Sequence, residues 1–394
     1  MTQRQMSRLC AIPLLFFGMG AVTSKAVNPT PSFLGLGDLP GGSTYSLAFG
    51  ISADGTTVVG ESSSTSGTQA FRWTAATGMV GLGDLPGGTF SSSANGVSGD
   101  GSIVVGSSRS SLGLQAFRWT AAGGMTGLGD LSGGSFSSYA TAVSADGSVI
   151  VGGGTSGSGP EAFRWTQAGG MTGLGDLNGG NFDSAGYGAS TNGSVIVGRG
   201  SSAAGPGGEG FRWSQADGMV GLGDLPGGTS FGLALATSSN GSVIVGQGTS
   251  ASGPEAMRWT QDTGMVGLGD LPGGDFNSNA VAVSADGNII LGAGQTAAGS
   301  EMFIWSADTG IVNLRDLLLS LGVSNVSGWR LDGNHGGISA DGLTVAGWGT
   351  NPSGNLEAFI ATIPEPQSWM IMALLMPAAL RRNIMAFHLR DHRN

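Results

Sequence analysis

One cysteine, Cys10, stands in 394 residues, so the chain can form neither a disulfide framework nor a thiol metal site. Histidine is almost as scarce: only His335, His388 and His392 occur, which leaves no cluster for a metal or for a Ser–His pair. Charged residues make up only 11% of the chain. Between residues 27 and 362 lysine is absent, and 9 Arg stand against 24 Asp and Glu, a net of −15. A body this acidic cannot neutralise phosphates over a surface, which argues against nucleic acid as a partner. Long apolar runs are missing too. The longest candidates, Leu9 to Val22 and Trp369 to Leu380, fall short of the ~20 residues that a spanning helix needs.

What is abundant is glycine, 76 residues of it, without the three-residue period of collagen. The phrase Gly35-Leu36-Gly37-Asp38-Leu39 returns with its Asp at 84, 130, 176, 224, 270 and 316, at spacings of 46, 46, 46, 48, 46 and 46. Two other phrases keep step with it. Ser52-Ala53-Asp54-Gly55 recurs with Asp100, Asp146, Asn192, Asn240, Asp286 and Asp341, and Phe71-Arg72-Trp73 recurs five times before degrading to Phe359-Ile360-Ala361. A fixed period of this length is the signature of a repeat architecture.

One unit reads as four short strands, here named d, a, b and c in chain order. Met79 to Leu85 alternates apolar with small residues and ends at Pro86-Gly87-Gly88. Phe90 to Ser98 leads into Gly99-Asp100-Gly101, a turn in which glycine takes positive φ without steric cost. Ser102 to Gly106 is a β-branched run that wants burial on both faces, and Ala116 to Thr120 supplies the fourth strand. Four strands in about 46 residues is the size of a propeller blade. The body, residues 33–362, opens on a d strand at Phe33–Leu39 and closes on a c strand at Glu357–Thr362. The N-terminal strand can therefore complete the seventh blade and abolish the open sheet edge. The expectation is an all-β, seven-bladed β-propeller, with an open β-solenoid as the alternative.

The ends of the chain read as addresses. Residues 1–26 resemble a secretory signal peptide, with Arg4 and Arg8, an apolar core and small residues for cleavage after Ala26. At the other end, residues 363–382 carry Pro364-Glu365-Pro366, then the apolar run, then Arg381-Arg382, with a short tail at 383–394. This order resembles the PEP-CTERM sorting signal. That resemblance implies export by a Gram-negative bacterium, transient residence in the inner membrane, processing by an exosortase-type sorting protease, and release to the cell surface. Basic residues held on the cytoplasmic side fit that arrangement. The three repeated phrases together resemble the HAF-type extracellular repeat of bacterial surface proteins, a family that implies no active site.

Candidate chemistry is sparse. The Asp38 series could ring the channel and bind calcium through carboxylates and carbonyls, but one Asp per unit builds no cage, and capping of a turn or pairing with the Arg72 series is the plainer reading. In Phe71-Arg72-Trp73 the aromatics share one strand face and Arg the other, so the repeated Trp reads as packing between blades. The last unit departs from the pattern through nine extra residues in its d–a connection, Leu318 to Gly336. Insertions of this kind sit in loops and often mark a binding face, so Trp329, His335 and Trp348 are the candidate ligand contacts, against the plainer alternative of an imperfect closing blade. The expected function is noncatalytic, with no required cofactor: adhesion or association with exopolysaccharide or another surface protein. A lyase or hydrolase of glycans acting in the channel, and a structural spacer, are the alternatives.

Overall fold

A computed structural model describes residues 29–203 and 205–366, so Ala26, Arg381 and Arg382 lie outside the described residues. Seven four-stranded antiparallel sheets follow one another around an axis. Blade 1 is built from Gly41–Ile51, Thr57–Ser64, Gly67–Thr74 and Gly78–Gly81, hydrogen-bonded in that order. These are strands a to d, and a lies innermost. The inner strands of the other blades are Gly87–Val97, Gly133–Val143, Gly179–Ala189, Gly227–Thr237, Ser278–Val283 and Gly337–Ile338. The closed propeller is the observed fold.

Closure takes the expected form. Blade 7 holds Gly337–Ile338, Thr344–Thr350 and Leu356–Thr362, and its outer strand is Ser32–Gly35 from the other end of the chain. Phe33 pairs with Ala361 and Leu34 with Ile360. The outer strands are shorter than their apolar pattern suggests. In blade 1 the ladder stops at Gly81, and Gly83 turns the chain away at a φ of 83°.

Apolar burial falls between blades. One cluster takes Val59 and Ala70 from blade 1, Leu82 and Leu85 from the link, and Ala94, Val104 and Phe117 from blade 2. Trp119 packs against it, and Trp73, Trp165 and Trp213 occupy the same place in other clusters. The arginine between the aromatics faces elsewhere. Arg72 donates from Nε to the Gly101 carbonyl (3.1 Å) and from Nη2 to the Thr57 hydroxyl (3.2 Å), fastening its strand to the next blade's turn.

Two polar devices repeat around the ring. At the a–b turns, seven backbone N–H···O bonds of 2.8 to 3.4 Å run from blade to blade, from Asp54 to Gly99 onward and back from Ala340 to Ala53. Each turn carries a glycine at positive φ, as at Gly55 (73°) and Gly101 (71°). A buried serine in strand a forms the second device. The Ser92 hydroxyl accepts from the Ala70 N–H (3.0 Å) and donates to the Gly83 carbonyl (2.6 Å). Ser46, Ser138, Ser184 and Ser278 repeat that clip.

The insertion of the last unit is not an open loop. Leu314–Ser320 is a helix capped by the Asn313 side chain, which accepts from the Asp316 N–H (3.1 Å), and Ser324–Val326 is a 3-10 turn. Leu314, Leu317, Leu318 and Val326 pack with Phe33, Trp329 and Phe359 in the largest core cluster. Among the described residues no helix is long and apolar enough to cross a membrane.

Candidate channel site

The inner strands of all seven blades line one central cavity of about 1130 Å³. Strand periodicity decides which side chains enter it. In blade 1, Ser46 and Ala48 point into the sheet packing and are buried, while Phe49 and Ile51 line the cavity. Near the a–b turns the lining is aliphatic in most blades, as at Ile51, Val97, Val143 and Ile338. One step outward the copies diverge completely. The position of Phe49 is Asn95, Thr141, Tyr187, Leu235, Val281 and Gly336 in the other six blades, and all seven face the cavity.

A second position diverges as fully. Glu61 of strand b corresponds to Ser107, Gly153, Arg199, Gln247, Ala293 and Trp348. It lies opposite Leu47, near the outer part of the same wall. Residues that every copy shares serve the packing of the repeat, because they answer to the same neighbours each time. These two positions answer to something that differs from blade to blade, and they lie on the cavity or its rim.

Local pairs complete the rim. The Tyr45 hydroxyl donates to Glu61 Oε1 (2.9 Å), and burial together with that carboxylate raises the pKa of the phenol. In blade 4 the same two positions are Asp183 and Arg199, which form an ion pair at 2.7 Å. Tyr139 and Tyr187 stand beside that pair, and burial raises both phenols. Gln247 donates to the Ser278 carbonyl (2.9 Å).

The three candidate ligand contacts part company. His335 lines the cavity and sets its ring edge-on to Phe49 at 5.9 Å. Its surface is open to the channel, but the surrounding walls strip away enough solvent to lower its pKa, so the imidazole is neutral at pH 7. Trp329 is 7% exposed and meets Phe33 edge-on at 5.0 Å, so it serves the core of the closing blade and not a binding face. Trp348 is half-buried, and its indole Nε1 is buried with no hydrogen-bond partner among the described residues. The sequence reading missed Phe49, Glu61 and Tyr187. Their signal was present as the positions at which the repeats disagree.

The repeated acids do not gather. Asp176 accepts from the Leu177, Asp183 and Ser201 N–H groups at 2.8 to 2.9 Å, and Asp84 accepts from the Ser108 hydroxyl. They fasten the d–a links, as turn capping requires. Pairing with the Arg72 series is not what holds them, since Arg72 bonds a carbonyl and a hydroxyl. Among the described residues there is no group of three or more His, Cys, Asp or Glu placed to hold a metal ion. Of the sorting motif, Pro364 is buried against the body, Pro366 is half-buried and Glu365 is exposed, directly after the last strand.

No family model matches the sequence, and no curated protein is similar to it in sequence. Solved structures are similar in fold. Oligogalacturonate lyase from Vibrio parahaemolyticus aligns with a TM-score of 0.51 at 9% identity, over 87% of this chain and 99% of that one. Hydrazine synthase of Kuenenia stuttgartiensis gives 0.47 at 12% identity, over 86% and 98%. TolB from Acinetobacter baumannii gives 0.44 at 13% identity, over 69% of this chain and 63% of that one. At such identities the likeness is one of fold, and the chain is a β-propeller.

Proposed function

We propose that the protein is a noncatalytic, exported carbohydrate-binding propeller that takes a polysaccharide segment at the open mouth of its channel. The observation that carries this reading is the divergence of the seven copies at the channel wall. Phe49, Tyr187 and Phe231 offer aromatic surface there, and Asn95, Asn279 and Gln295 offer amides. Such a mixture suits sugars, whose rings have apolar faces and hydroxyl rims. A binding role is also supported by the charge of the wall. Glu61 is the one carboxylate among the described lining residues, whereas glycoside hydrolysis by the common route uses two.

The two terminal motifs support an exported address. A signal peptide cleaved after Ala26 and an exosortase-type cut near Pro364-Glu365-Pro366 would release the propeller whole. The last strand, Leu356–Thr362, ends before that motif. The released protein would then associate with exopolysaccharide at the cell surface or in the matrix.

Calorimetric titration of the purified chain with oligosaccharides from the host's exopolysaccharide tests the reading. We expect saturable binding that Tyr187→Ala and Phe49→Ala each weaken tenfold or more, with unfolding midpoints kept near that of the parent. Unchanged affinity in both variants would overturn the channel as the site.

A further inference from the structure

Among the described residues that line the cavity, Glu61 alone is a carboxylate and none is Lys or Arg. Of these residues only Glu61 and His335 are ionisable near neutral pH, and the walls keep His335 neutral. Glu61 has no basic partner within ion-pair distance among the described residues. Tyr45 occupies one of its oxygens, and the other accepts no hydrogen bond from a described residue. Nor does the repeat require an acid here. Six other copies fold with Ser107, Gly153, Arg199, Gln247, Ala293 or Trp348 at the same position. Where an acid does recur on the rim, at Asp183, an arginine neutralises it at 2.7 Å.

Glu61 is half-buried on the channel wall, with one carboxylate oxygen that no described residue occupies, so a ligand that enters the channel can reach it. Its neighbours narrow the choice. Phe49 lines the same cavity on the neighbouring strand of blade 1, and Tyr45 bonds Glu61, so the wall offers a cation π surface as well as carboxylate. The body bears a net −15 between residues 27 and 362, and such a field gathers cations and repels uronates or sulfated sugars.

Building on the saccharide reading above, we infer that Glu61 is the specificity residue of the channel and pairs with the ammonium of an amino sugar carrying a free amine. Glu61 and the Tyr45 hydroxyl form one end of that site, and Phe49 the apolar wall on which the sugar ring rests. Tyr187, three blades away around the ring, meets a different unit of the same saccharide.

Calorimetric titration of the full chain with a glucosamine tetramer, its fully N-acetylated counterpart and tetralysine separates the alternatives. We expect the glucosamine tetramer to bind at least tenfold more tightly than the acetylated one, with the difference erased in Glu61→Gln. Circular dichroism and the unfolding midpoint of that variant should match the parent. If both tetramers bind equally and Glu61→Gln changes nothing, the amine assignment is overturned and the saccharide reading survives. Should tetralysine bind while neither tetramer does, the sugar is overturned and a bare amine is the ligand. Failure of all three, and of the host oligosaccharides, overturns both readings.

Discussion

At the scale of single residues, the repeat allows controls that few proteins offer, because each position is present seven times in one molecule. The serine clip is the clearest case. Removing the Ser92 hydroxyl in Ser92→Ala leaves the Ala70 N–H and the Gly83 carbonyl without that buried partner, at a cost of about 1–3 kcal/mol. Blade 5 has glycine at the clip position, Gly232, with an ordinary backbone φ. A Cβ built there lies 3.2 Å from the Gly210 nitrogen and 3.9 Å from the Gly223 oxygen, the two groups that a clip would join. We therefore expect Gly232→Ser to stabilise the protein by about 0.5–1.5 kcal/mol in urea unfolding. A loss of stability would mean that the blade 5 backbone cannot accept the clip. The a–b turns give a pH prediction. Burial pushes the Asp54, Asp146 and Asp286 carboxyls up, but the hydrogen bonds they accept from serine hydroxyls and backbone N–H groups outweigh it and hold them below the usual range; at Asp100 the same hydrogen bonds dominate and hold it at about 2. Groups depressed on folding add stability above their unfolded value near 4 and lose it as pH falls toward the folded value. The unfolding midpoint should thus decline between about pH 4 and 2, and combined Asp→Asn replacement at the four turns should flatten that decline.

At the scale of the element, the legibility of the sequence depended on whether a residue answers to its own strand or to a neighbour. The Asp-Gly turns and the Phe-Arg-Trp alternation are local, and both could be read directly. The serine clip could not, because Ser92 is one serine among many until the fold brings Ala70 and Gly83 to it. The insertion misled for a related reason. Its Asn313 cap and the apolar run from Leu314 are helix signals, but an all-β repeat invites a loop reading. Once Leu314–Ser320 is helical, Leu317 and Leu318 drive the segment onto the core, and Trp329 is carried inside with them. This element braces the closing strand: Asn325 donates to the Phe33 carbonyl, and Phe33 stacks on Phe359 at 5.1 Å. Trp329→Ala should cost about 3–5 kcal/mol in urea unfolding while leaving channel binding at the folded plateau unchanged. A binding defect without a stability defect would return Trp329 to the ligand.

For the whole molecule, the decisive contacts are those between the two ends of the propeller, since they turn a row of repeats into a ring. An open row would unfold from its ends, and its exposed strand edges would recruit other chains. The ring here is joined at three radii. The Ala340–Ala53 backbone bond closes it near the axis, the Ser46 clip to Ala358 closes it midway, and the Ser32–Gly35 strand closes it at the rim. A chain beginning at residue 36 keeps the first two joints and loses only the third. It should still fold, because Leu36 and Leu39 remain to pack with Ala358. It should melt at a lower temperature than the parent, since Phe33, only 4% exposed, leaves a gap against Trp329 and Phe359. Its freed edge, Leu356–Thr362, should make it associate as concentration rises, which light scattering would detect. A peptide of residues 29–35 added in excess should restore both the melting temperature and the parent's state of association by strand addition. If the shortened chain associates no more than the parent and melts with it, closure at the rim contributes nothing, and the two inner joints alone hold the ring.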